Sequence, residues 1–504
     1  MLARVFTSSV LGIDGLLVEV EVDVSFGLPH FGIVGLPGEE VRESRDRVRA
    51  ALKNSGYIFP AERIVVNLAP AAVRKTGASF DLPIAVGIAL ASGQVTLSGG
   101  GDFLVLGELS LNGNLRRIRG VLCMASVAER HRLAAVLLPA ANSREAAVAT
   151  ERPVFGATTL TEVLEILDGR SEGKLAPRES PAQTRETHDV DFSEVRGQEH
   201  AKRAVEVAAA GGHNILMSGP PGSGKTMIAR RIPTILPELE REEALETTKI
   251  FSVAGLLKRD GLMRARPFRA PHHTVSDVAL IGGGTIPRPG EVSLANHGVL
   301  FLDEFTEFRR SALEVMRQPL EDRVVTIARA RATATFPANF MLVAAMNPCP
   351  CGNLTDPGKA CRCTARDVER YRHKISGPLL DRIDIHIEVP PARYTDISGR
   401  TAGEPSASIR HRVTRARKVQ ASRFELEPMV FANSQMPVRL IHSHCRIDKE
   451  GRGLLKSACT KLGLSARSYS KVLKVARTIA DLDGTPEIEP RHLAEAIQYR
   501  SYEL

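Results

Sequence analysis

The segment Gly219-Pro-Pro-Gly-Ser-Gly-Lys225-Thr226 is the part of this chain from which its fold class is best inferred. The stretch follows the apolar run Asn214-Ile-Leu-Met217 and precedes Met227-Ile-Ala-Arg-Arg-Ile232, so the pattern predicts a strand, a glycine-rich loop and a helix. Successive N–H groups of such a loop turn toward an anion, and the helix N-terminus adds partial positive charge. Lys225 would reach the β- and γ-phosphates, and the Thr226 hydroxyl would ligate Mg²⁺. The stretch therefore predicts a site for a nucleoside triphosphate.

A second signal is needed, because this pattern also arises by chance, and it follows in Gly298-Val-Leu-Phe-Leu-Asp303-Glu304. The apolar run is too short for a helix and predicts a buried parallel strand that ends in two carboxylates. Asp303 is expected to hold Mg²⁺ through water, and Glu304 is expected to act as general base; the alternative is a pair of solvated acids capping an ordinary strand. The residues expected to bind ATP and Mg²⁺ are Gly219, Pro220, Pro221, Gly222, Ser223, Gly224, Lys225, Thr226 and Asp303.

Length and charge set limits on the class of protein. A chain of 504 residues with 43% hydrophobic residues predicts about three globular domains. The net charge of +9 favours a polyanionic partner, and charge alone does not separate nucleic acid from a membrane surface. Acidic residues within positions 1–29 interrupt any signal-peptide core, and no later run reaches membrane-spanning length. We expect a cytoplasmic protein without a membrane partner.

The order of segments predicts an α/β protein with separate domains. Residues 1–168 mix strand-like and helix-like segments, and residues 169–190 have the composition of a linker. Residues 191–395 alternate strands and helices as a parallel sheet requires, and residues 396–504 have helical periodicity and predict a C-terminal helical lid.

The core resembles an AAA+ ATPase of the Mg-chelatase-like branch. The motifs that carry this resemblance are Asp191-Phe-Ser-Glu-Val-Arg-Gly-Gln198, Asn347, Gly377-Pro-Leu-Leu-Asp-Arg382-Ile-Asp384 and Ser465-Ala-Arg467. Three further phrases are similar to the ComM-type competence ATPase family: Arg269-Ala-Pro-His-His-Thr-Val-Ser276, Pro289-Gly-Glu-Val-Ser-Leu-Ala295 and Asn347-Pro-Cys-Pro-Cys-Gly352. The similarity extends over all three domains.

This resemblance implies roles for three more residues. Asn347 would be a sensor of the γ-phosphate or the lytic water, Arg382 an arginine finger that enters the neighbouring subunit's site, and Arg467 a second sensor on the lid. The alternatives are a turn cap for the asparagine and plain salt bridges for the arginines. A finger that acts in trans implies an obligate ring, by family analogy a homo-hexamer.

Two insertions are candidates for contact with DNA, single-stranded or branched. The segment 324–336 alternates small or apolar residues with basic ones and predicts a β-hairpin. Similar ATPases place such a hairpin in the pore of the ring, where Arg329 and Arg331 would grip phosphates; residues 264–289 resemble their other insertion. The alternative is a solvated hairpin with no ligand.

Four cysteines have the spacing C-x-C-x9-C-x-C, at Cys349, Cys351, Cys361 and Cys363. Four thiolates can hold one Zn²⁺, although the inner spacing is tighter than in common zinc fingers. Reduced thiols or a labile disulfide remain the alternative. The neighbouring His272 and His273 are interpreted as a polar turn rather than a metal site.

Residues 1–168 resemble a Lon-type protease domain. Ser79 falls at the place of the Lon nucleophile, but Met124 stands where the Lon lysine belongs, and a methionine cannot accept a proton. We therefore expect a protease-like domain without peptidase activity.

Three functions compete. The resemblance to the competence family implies an ATP-driven DNA translocase or helicase that promotes branch migration and integration of DNA in natural transformation. The alternative is a chelatase-like remodelling motor that acts on a protein partner. A Lon-like peptidase is disfavoured by Met124.

Overall fold

The computed structural model describes residues 1–98, 101–177, 189–257, 261–284, 287–329, 332–391, 403–427 and 430–500. The strands in these ranges are β1 Leu2–Leu11, β2 Asp14–Ser25, β3 His30–Val34, β4 Arg63–Ala69, β5 Phe103–Val105, β6 Glu108–Leu109, β7 Leu115–Arg116, β8 Ala135–Pro139, β9 Val154–Ala157, β10 Ile215–Ser218, β11 Phe268–Arg269, β12 Gly282–Gly283, β13 Arg288–Pro289, β14 Val299–Leu302, β15 Val324–Arg329, β16 Ala332–Pro337, β17 Met341–Met346 and β18 Ile385–Glu388.

The helices in the same ranges are α1 Glu39–Arg42, α2 Ser44–Asn54, α3 Asp81–Ala91, α4 Val121–Arg130, α5 Ser143–Ala149, α6 Leu160–Leu167, α7 Glu199–Gly211, α8 Lys225–Ile235, α9 Arg241–Ala254, α10 Asp277–Ile281, α11 Glu291–Leu294, α12 Arg310–Glu314, α13 Arg317–Asp322, α14 Ala365–Arg372, α15 Gly377–Leu380, α16 Ser406–Arg423, α17 Val438–His444, α18 Lys449–Leu462, α19 Ala466–Asp483 and α20 Pro490–Gln498. None of them combines the length and the apolar character that crossing a bilayer requires.

The chain divides into two compact units, here called the N-terminal unit and the P-loop unit. The described part of the N-terminal unit comprises residues 1–98 and 101–177 together with 241–257 and 261–263. Its seven-stranded sheet has the order β3-β4-β2-β1-β5-β8-β9 and mixes antiparallel pairs around β2 with parallel pairs from β1 to β9. Strand β2 alternates buried and partly exposed side chains, because only one face of an antiparallel ribbon meets the core.

Helix α9 belongs to the N-terminal unit although it follows the phosphate loop in sequence. The Ser252 hydroxyl donates to the buried Glu145 carboxylate at 2.5 Å, and the Gly120 N–H donates to the Ser252 carbonyl at 3.2 Å. Arg241 forms an ion pair with Glu151 at 3.6 Å. These contacts come from distant parts of the chain, and periodicity within residues 241–254 does not reveal them.

The P-loop unit contains a five-stranded sheet in the order β11-β14-β17-β10-β18, and every neighbouring pair is parallel. The prediction of a parallel sheet is confirmed. Strands β10, β14 and β17 are buried along their whole length, which explains why their sequences are continuous apolar runs. The carboxyl-terminal edge of the sheet is the one where β10 leads into the glycine loop; the amino-terminal edge is the opposite one.

The described residues from 403 to 500 contain helices and a single isolated β-bridge. Their polar residues fix the helix starts, since the Asp448 carboxylate accepts from Gly451 N–H and the Ser465 hydroxyl accepts from Ser468 N–H. In α16, Arg412 pairs with Glu206 and Glu404, and Arg423 pairs with Asp481. These arginines of α16 serve packing within the unit.

Candidate nucleotide-binding site

The glycine-rich loop leaves β10 at the carboxyl-terminal edge and enters α8 at Lys225. Gly222 and Gly224 have φ of +79° and +92°, a region that favours glycine. A Cβ on Gly219 would lie 2.1 Å from the Val389 carbonyl oxygen, whereas one on Gly222 would meet nothing within 4 Å. Gly219 is therefore needed for packing beneath the loop, and Gly222 faces open space where a phosphate fits.

The Lys225 ammonium is buried under the loop, and within the described residues its hydrogen bonds go to groups of the loop itself. It donates to the carbonyl oxygens of Gly219 at 2.6 Å and Pro220 at 2.9 Å, and it lies 3.3 Å from the Ser223 hydroxyl. Burial lowers the pKa of Lys225 to about 8, and the attraction of Asp303 opposes this only in part. Because Asp303 offsets only part of the cost of burying this ammonium, an incoming phosphate anion would stabilise its charged form.

The Thr226 hydroxyl and the Asp303 carboxylate meet at the start of α8. Thr226 Oγ1 donates to Asp303 Oδ2 at 2.7 Å, although 77 residues separate them in sequence. Asp303 follows β14, and because β14 and β10 flank β17, the carboxyl ends of all three strands reach the same edge. A hydroxyl and a carboxylate oxygen in this arrangement are hard ligands of the type that Mg²⁺ takes.

Glu304 has a partner that the sequence analysis did not identify. Its backbone has φ +53° and ψ +47°, and His273 Nδ1 lies 3.0 Å from its Oε2. His273 comes four residues after the end of β11, which is parallel to β14, so the two side chains reach the same edge. The position of His273 shortly after a parallel strand is the sequence feature that would have indicated this contact with Glu304. The neighbouring His272 bonds Thr274 instead, at 2.9 Å.

Asn347 directly follows β17 and lies near the glycine loop. A Cβ on Gly352, which has φ +81°, would approach Pro221 Cδ to 2.6 Å and Asn347 Cγ to 3.9 Å. The turn that begins the cysteine segment therefore packs directly on the loop. Asp303, Glu304 and Asn347 thus accompany the loop at the carboxyl-terminal edge.

The four predicted cysteines converge on one point. All four Sγ atoms lie within 4.8 Å of one another. The Sγ of Cys349 is 3.4 Å from that of Cys351 and 3.7 Å from that of Cys361, and the Cys351 and Cys361 sulfurs are 3.6 Å apart. With Zn–S bonds of about 2.3 Å, a tetrahedral site has sulfurs about 3.8 Å apart. Backbone N–H groups of Arg362 and Asn353 lower the pKa of the Cys351 thiol to about 6, whereas desolvation and the neighbouring sulfurs raise the pKa of the Cys361 and Cys363 thiols, so the thiols of the cluster do not ionise equally.

The two arginines of the sequence prediction lie at the amino-terminal edge, away from the glycine loop of their own chain. The Arg382 carbonyl accepts from the Asn214 side chain at 3.2 Å, and Asn214 precedes β10, whereas the loop follows it. Arg382 forms an ion pair with Glu321, and Arg467 donates to the same carboxylate at 2.7 Å. The fold brings Arg382 and Arg467 together on Glu321 and separates them from Lys225.

The hairpin of β15 and β16 is present, with Val324 paired to Pro337 and Arg329 paired to Ala332. Arg329 is exposed, and one of its guanidinium nitrogens would lie 3.3 Å from a Cβ on Gly283. The hairpin therefore contacts the insertion that contains β12 and β13. Arg331 lies outside the described residues.

Comparison with known families shows to which group of proteins this chain belongs. The chain matches the models for "Magnesium chelatase, subunit ChlI" over residues 191–397, for "Subunit ChlI of Mg-chelatase" over residues 20–142, and for "Magnesium chelatase, subunit ChlI C-terminal" over residues 403–500. The class is that of Mg-chelatase-like AAA+ proteins with a P-loop.

A full-length relative gives the particular family. The chain is 43% identical over 505 residues to competence protein ComM of Haemophilus influenzae, a match that covers 99% of this chain and 97% of that protein, and it belongs to the ComM family. Two relatives match in part. Lon protease 2 of Bacillus subtilis is 28% identical over 39% of this chain and 40% of its own length, and zygotic DNA replication licensing factor mcm6-A of Xenopus laevis is 20% identical over 61% of this chain and 36% of its own length.

Proposed function

We propose that this protein is an ATP-driven, ring-shaped DNA translocase that promotes branch migration and the integration of DNA in natural transformation and recombination. The observation that carries the ATPase part is the 2.7 Å contact between Thr226 and Asp303 beside the buried Lys225. These residues would hold Mg²⁺ and the β- and γ-phosphates of ATP, and the bound cation would neutralise the charge of the transferred phosphoryl group.

Glu304 is the general base of the proposal, and Asn347 positions the attacking water. Both side chains leave the carboxyl ends of strands next to the loop, where an attacking water must approach the γ-phosphate in line. His273, 3.0 Å from Glu304, orients the base as a third group orients the base in other hydrolytic sites.

Arg382 and Arg467 act on the nucleotide of an adjacent copy in this proposal. The four residues of β10 span about 13 Å at about 3.3 Å per residue, and the glycine loop begins only after them. Arginines at the amino-terminal edge of one copy reach a phosphate if the carboxyl-terminal edge of the next copy docks against them. A closed ring, proposed to be a hexamer, gives every copy such a neighbour.

DNA as the partner is supported by four observations. The net charge is +9, Arg329 is exposed on a hairpin, and the full-length relative is a competence protein. In addition, the Xenopus relative is named as a DNA replication licensing factor. We propose that Arg329 and Arg331 grip phosphates in the channel of a ring that works in the cytoplasm.

A chelatase-like remodelling motor that acts on a protein partner is the second candidate, because the family models are those of a magnesium chelatase subunit. The two differ in what stimulates ATP turnover. We expect single-stranded or forked DNA to raise the ATPase rate of the full chain, with Glu304→Gln as an inactive reference. Stimulation by a protein partner and not by DNA would favour the chelatase-like motor.

The hairpin assignment has its own test. Arg329→Ala with Arg331→Ala should weaken DNA binding and reduce its salt slope by about 0.9 log unit for each phosphate that the variant no longer binds. Arg452→Ala, an exposed arginine on α18, is the matched control. Unchanged affinity and slope in the hairpin variant would remove these arginines from the DNA site.

We also propose one structural Zn²⁺ held by Cys349, Cys351, Cys361 and Cys363. The support is the separation of the sulfurs and the packing of Gly352 on Pro221, through which a rigid cysteine segment would hold the glycine loop and Asn347. The N-terminal unit would not act as a peptidase, because Met124 is a buried core residue of α4 and offers no base to Ser79.

A further inference from the structure

A cavity of about 220 Å³ opens at the amino-terminal edge of the P-loop sheet. The residues just before three strands line it: Asn214 before β10, Phe340 before β17 and Asp384 before β18. Helix α19 and the segment around α13 supply the other walls. The cavity is thus separated from the glycine loop of its own chain by the length of the sheet.

The charges around this cavity are unequal. Its cationic lining residues are Arg323, Arg382, Arg467, Lys471 and Lys474, and its carboxylates are Glu321 and Asp384. Lys471 pairs with Asp384 at 3.0 Å, while Arg382 and Arg467 share Glu321. Several positive groups therefore surround one cavity. This arrangement suits a single phosphate group, whereas a nucleic-acid strand binds along a groove that follows its backbone.

Arg323 and Lys474 are left without a carboxylate in the part of the chain that the structure describes. Lys474 donates to the Ser434 carbonyl at 2.9 Å. Burial lowers the pKa of Arg323 to about 10 and that of Lys474 to about 8, because the attraction of Asp384 compensates only part of the lost hydration. An anion that enters the cavity would pair with these two cations and so offset the hydration that they lose on burial.

We propose that Glu321 is an internal substitute for the terminal phosphate that the ring would bring to Arg382 and Arg467, and that the adjoining cavity, through Arg323 and Lys474, attracts that phosphate. In the single subunit the Glu321 carboxylate binds both arginines, as a phosphate oxygen would. The arriving phosphate displaces it, and Arg323 and Lys474 in the cavity lining attract the anion. This inference rests on the ring proposed above.

The binding arm uses inorganic tripolyphosphate as the probe and the full chain with Lys225→Ala, which disables the chain's own loop. Calorimetry at low salt should give affinity about tenfold tighter for Glu321→Gln, because the competing carboxylate is gone. Glu314→Gln is the matched control, since it removes one charge from a glutamate that pairs with Arg317 outside the cavity, at 2.8 Å. Equal affinities for the two variants would overturn the role of Glu321.

The second arm tests the two lining cations that have no carboxylate partner in the described part of the chain, Arg323 and Lys474. Arg323→Gln and Lys474→Gln should each weaken tripolyphosphate binding at least fivefold, and Lys456→Gln, an exposed lysine of α18, should not. Loss of binding in the control to the same extent would mean that general charge, not the cavity, attracts the anion. Thermal unfolding of each variant separates lost binding from lost folding.

The third arm links the cavity to assembly, with Lys225 intact. Glu321→Gln should reach half-maximal ATPase activity at a severalfold lower protein concentration, because its arginines are free for the neighbour. Tighter tripolyphosphate binding without that shift would overturn the neighbour's nucleotide as the ligand. Absence of ATPase activity in every variant would instead contradict the proposed function, and the calorimetric result for the cavity would still stand.

Discussion

The two edges of the parallel sheet differ in which charges they leave available. At the carboxyl-terminal edge Lys225 is enclosed by the carbonyl oxygens of its loop, and Thr226 is joined to Asp303. At the amino-terminal edge Arg382 and Arg467 are joined to Glu321 beside a cationic cavity. At each edge some of the charged groups are paired within the chain, and each edge also has cations suited to a phosphate. In the proposed ring, one chain would therefore contribute two half-sites, one at each edge of the sheet.

The largest effect is expected when the arginine of one edge is removed and then supplied by another copy. Arg382→Ala should keep ATP affinity and lose about 10³-fold or more in turnover, as arginine fingers do. Mixing it with Glu304→Gln should restore part of the activity, because some interfaces then combine an intact Glu304 from one copy with an intact Arg382 from the other. Steady-state ATPase assays measure both effects; no recovery on mixing would show that the two edges do not cooperate between copies.

The pH dependence of binding tests the Lys225 half-site in a Lys474→Gln background, which removes the other lysine whose pKa is lowered to about 8. Below the pKa of about 8 the free protein already carries the charged ammonium, whereas above it the proton must be taken up on binding. Affinity for a non-hydrolysable ATP analogue should therefore be level below about pH 8 and fall about tenfold per pH unit above it. Lys225→Arg stays charged and should give a flat profile over the same range. An equal decline in both proteins would trace the effect to another group.

The histidine pair offers a matched test at the carboxyl-terminal edge. His273→Ala should lower turnover about fivefold with ATP affinity unchanged, because Glu304 loses the group that orients it. His273→Asn, which keeps a donor, should recover part of the rate. His272→Ala is the control, since His272 contacts Thr274 and not Glu304. Identical rates for the two alanine variants would show that the His273 contact has no role in turnover.

The smallest effect on activity is expected from the cysteine segment. Cys361→Ser should abolish bound zinc, measured by atomic emission, and lower Tm by about 5 °C while turnover falls only a few fold. Cys459→Ser changes a free cysteine of α18 outside the cluster and should alter neither quantity. Protein that purifies without zinc, and is as stable with Cys361→Ser as without it, would contradict the metal site.

Local sequence was enough for the elements that are defined by short motifs. The strand, loop and helix around Lys225, the acidic strand β14, the hairpin and the convergence of the four cysteines all follow from spacing within a few residues or tens of residues. The parallel order of the sheet followed from the alternation of strands and helices.

Contacts between distant segments could not be predicted from the sequence where no recognised motif supplied the residues. Glu321 gives no local sign that it binds Arg382 and Arg467, because its partners lie 61 and 146 residues away. The two histidines were interpreted as a polar turn, since the adjacent parallel strand β11 is only two residues long and was not predicted. The site was thus predictable where one motif supplies it and hidden where folding assembles it.

The assignment of α9 to the N-terminal unit has a practical consequence for dissecting the protein. A fragment that begins after the linker contains α9 but lacks Glu145 and Gly120. Ser252 of the helix then loses both of the hydrogen bonds that it forms with these residues. A fragment that stops before residue 178 leaves those groups without α9. Excision at the linker therefore damages both halves, and a recombinant motor fragment needs residues 241–263 replaced by a short polar connector.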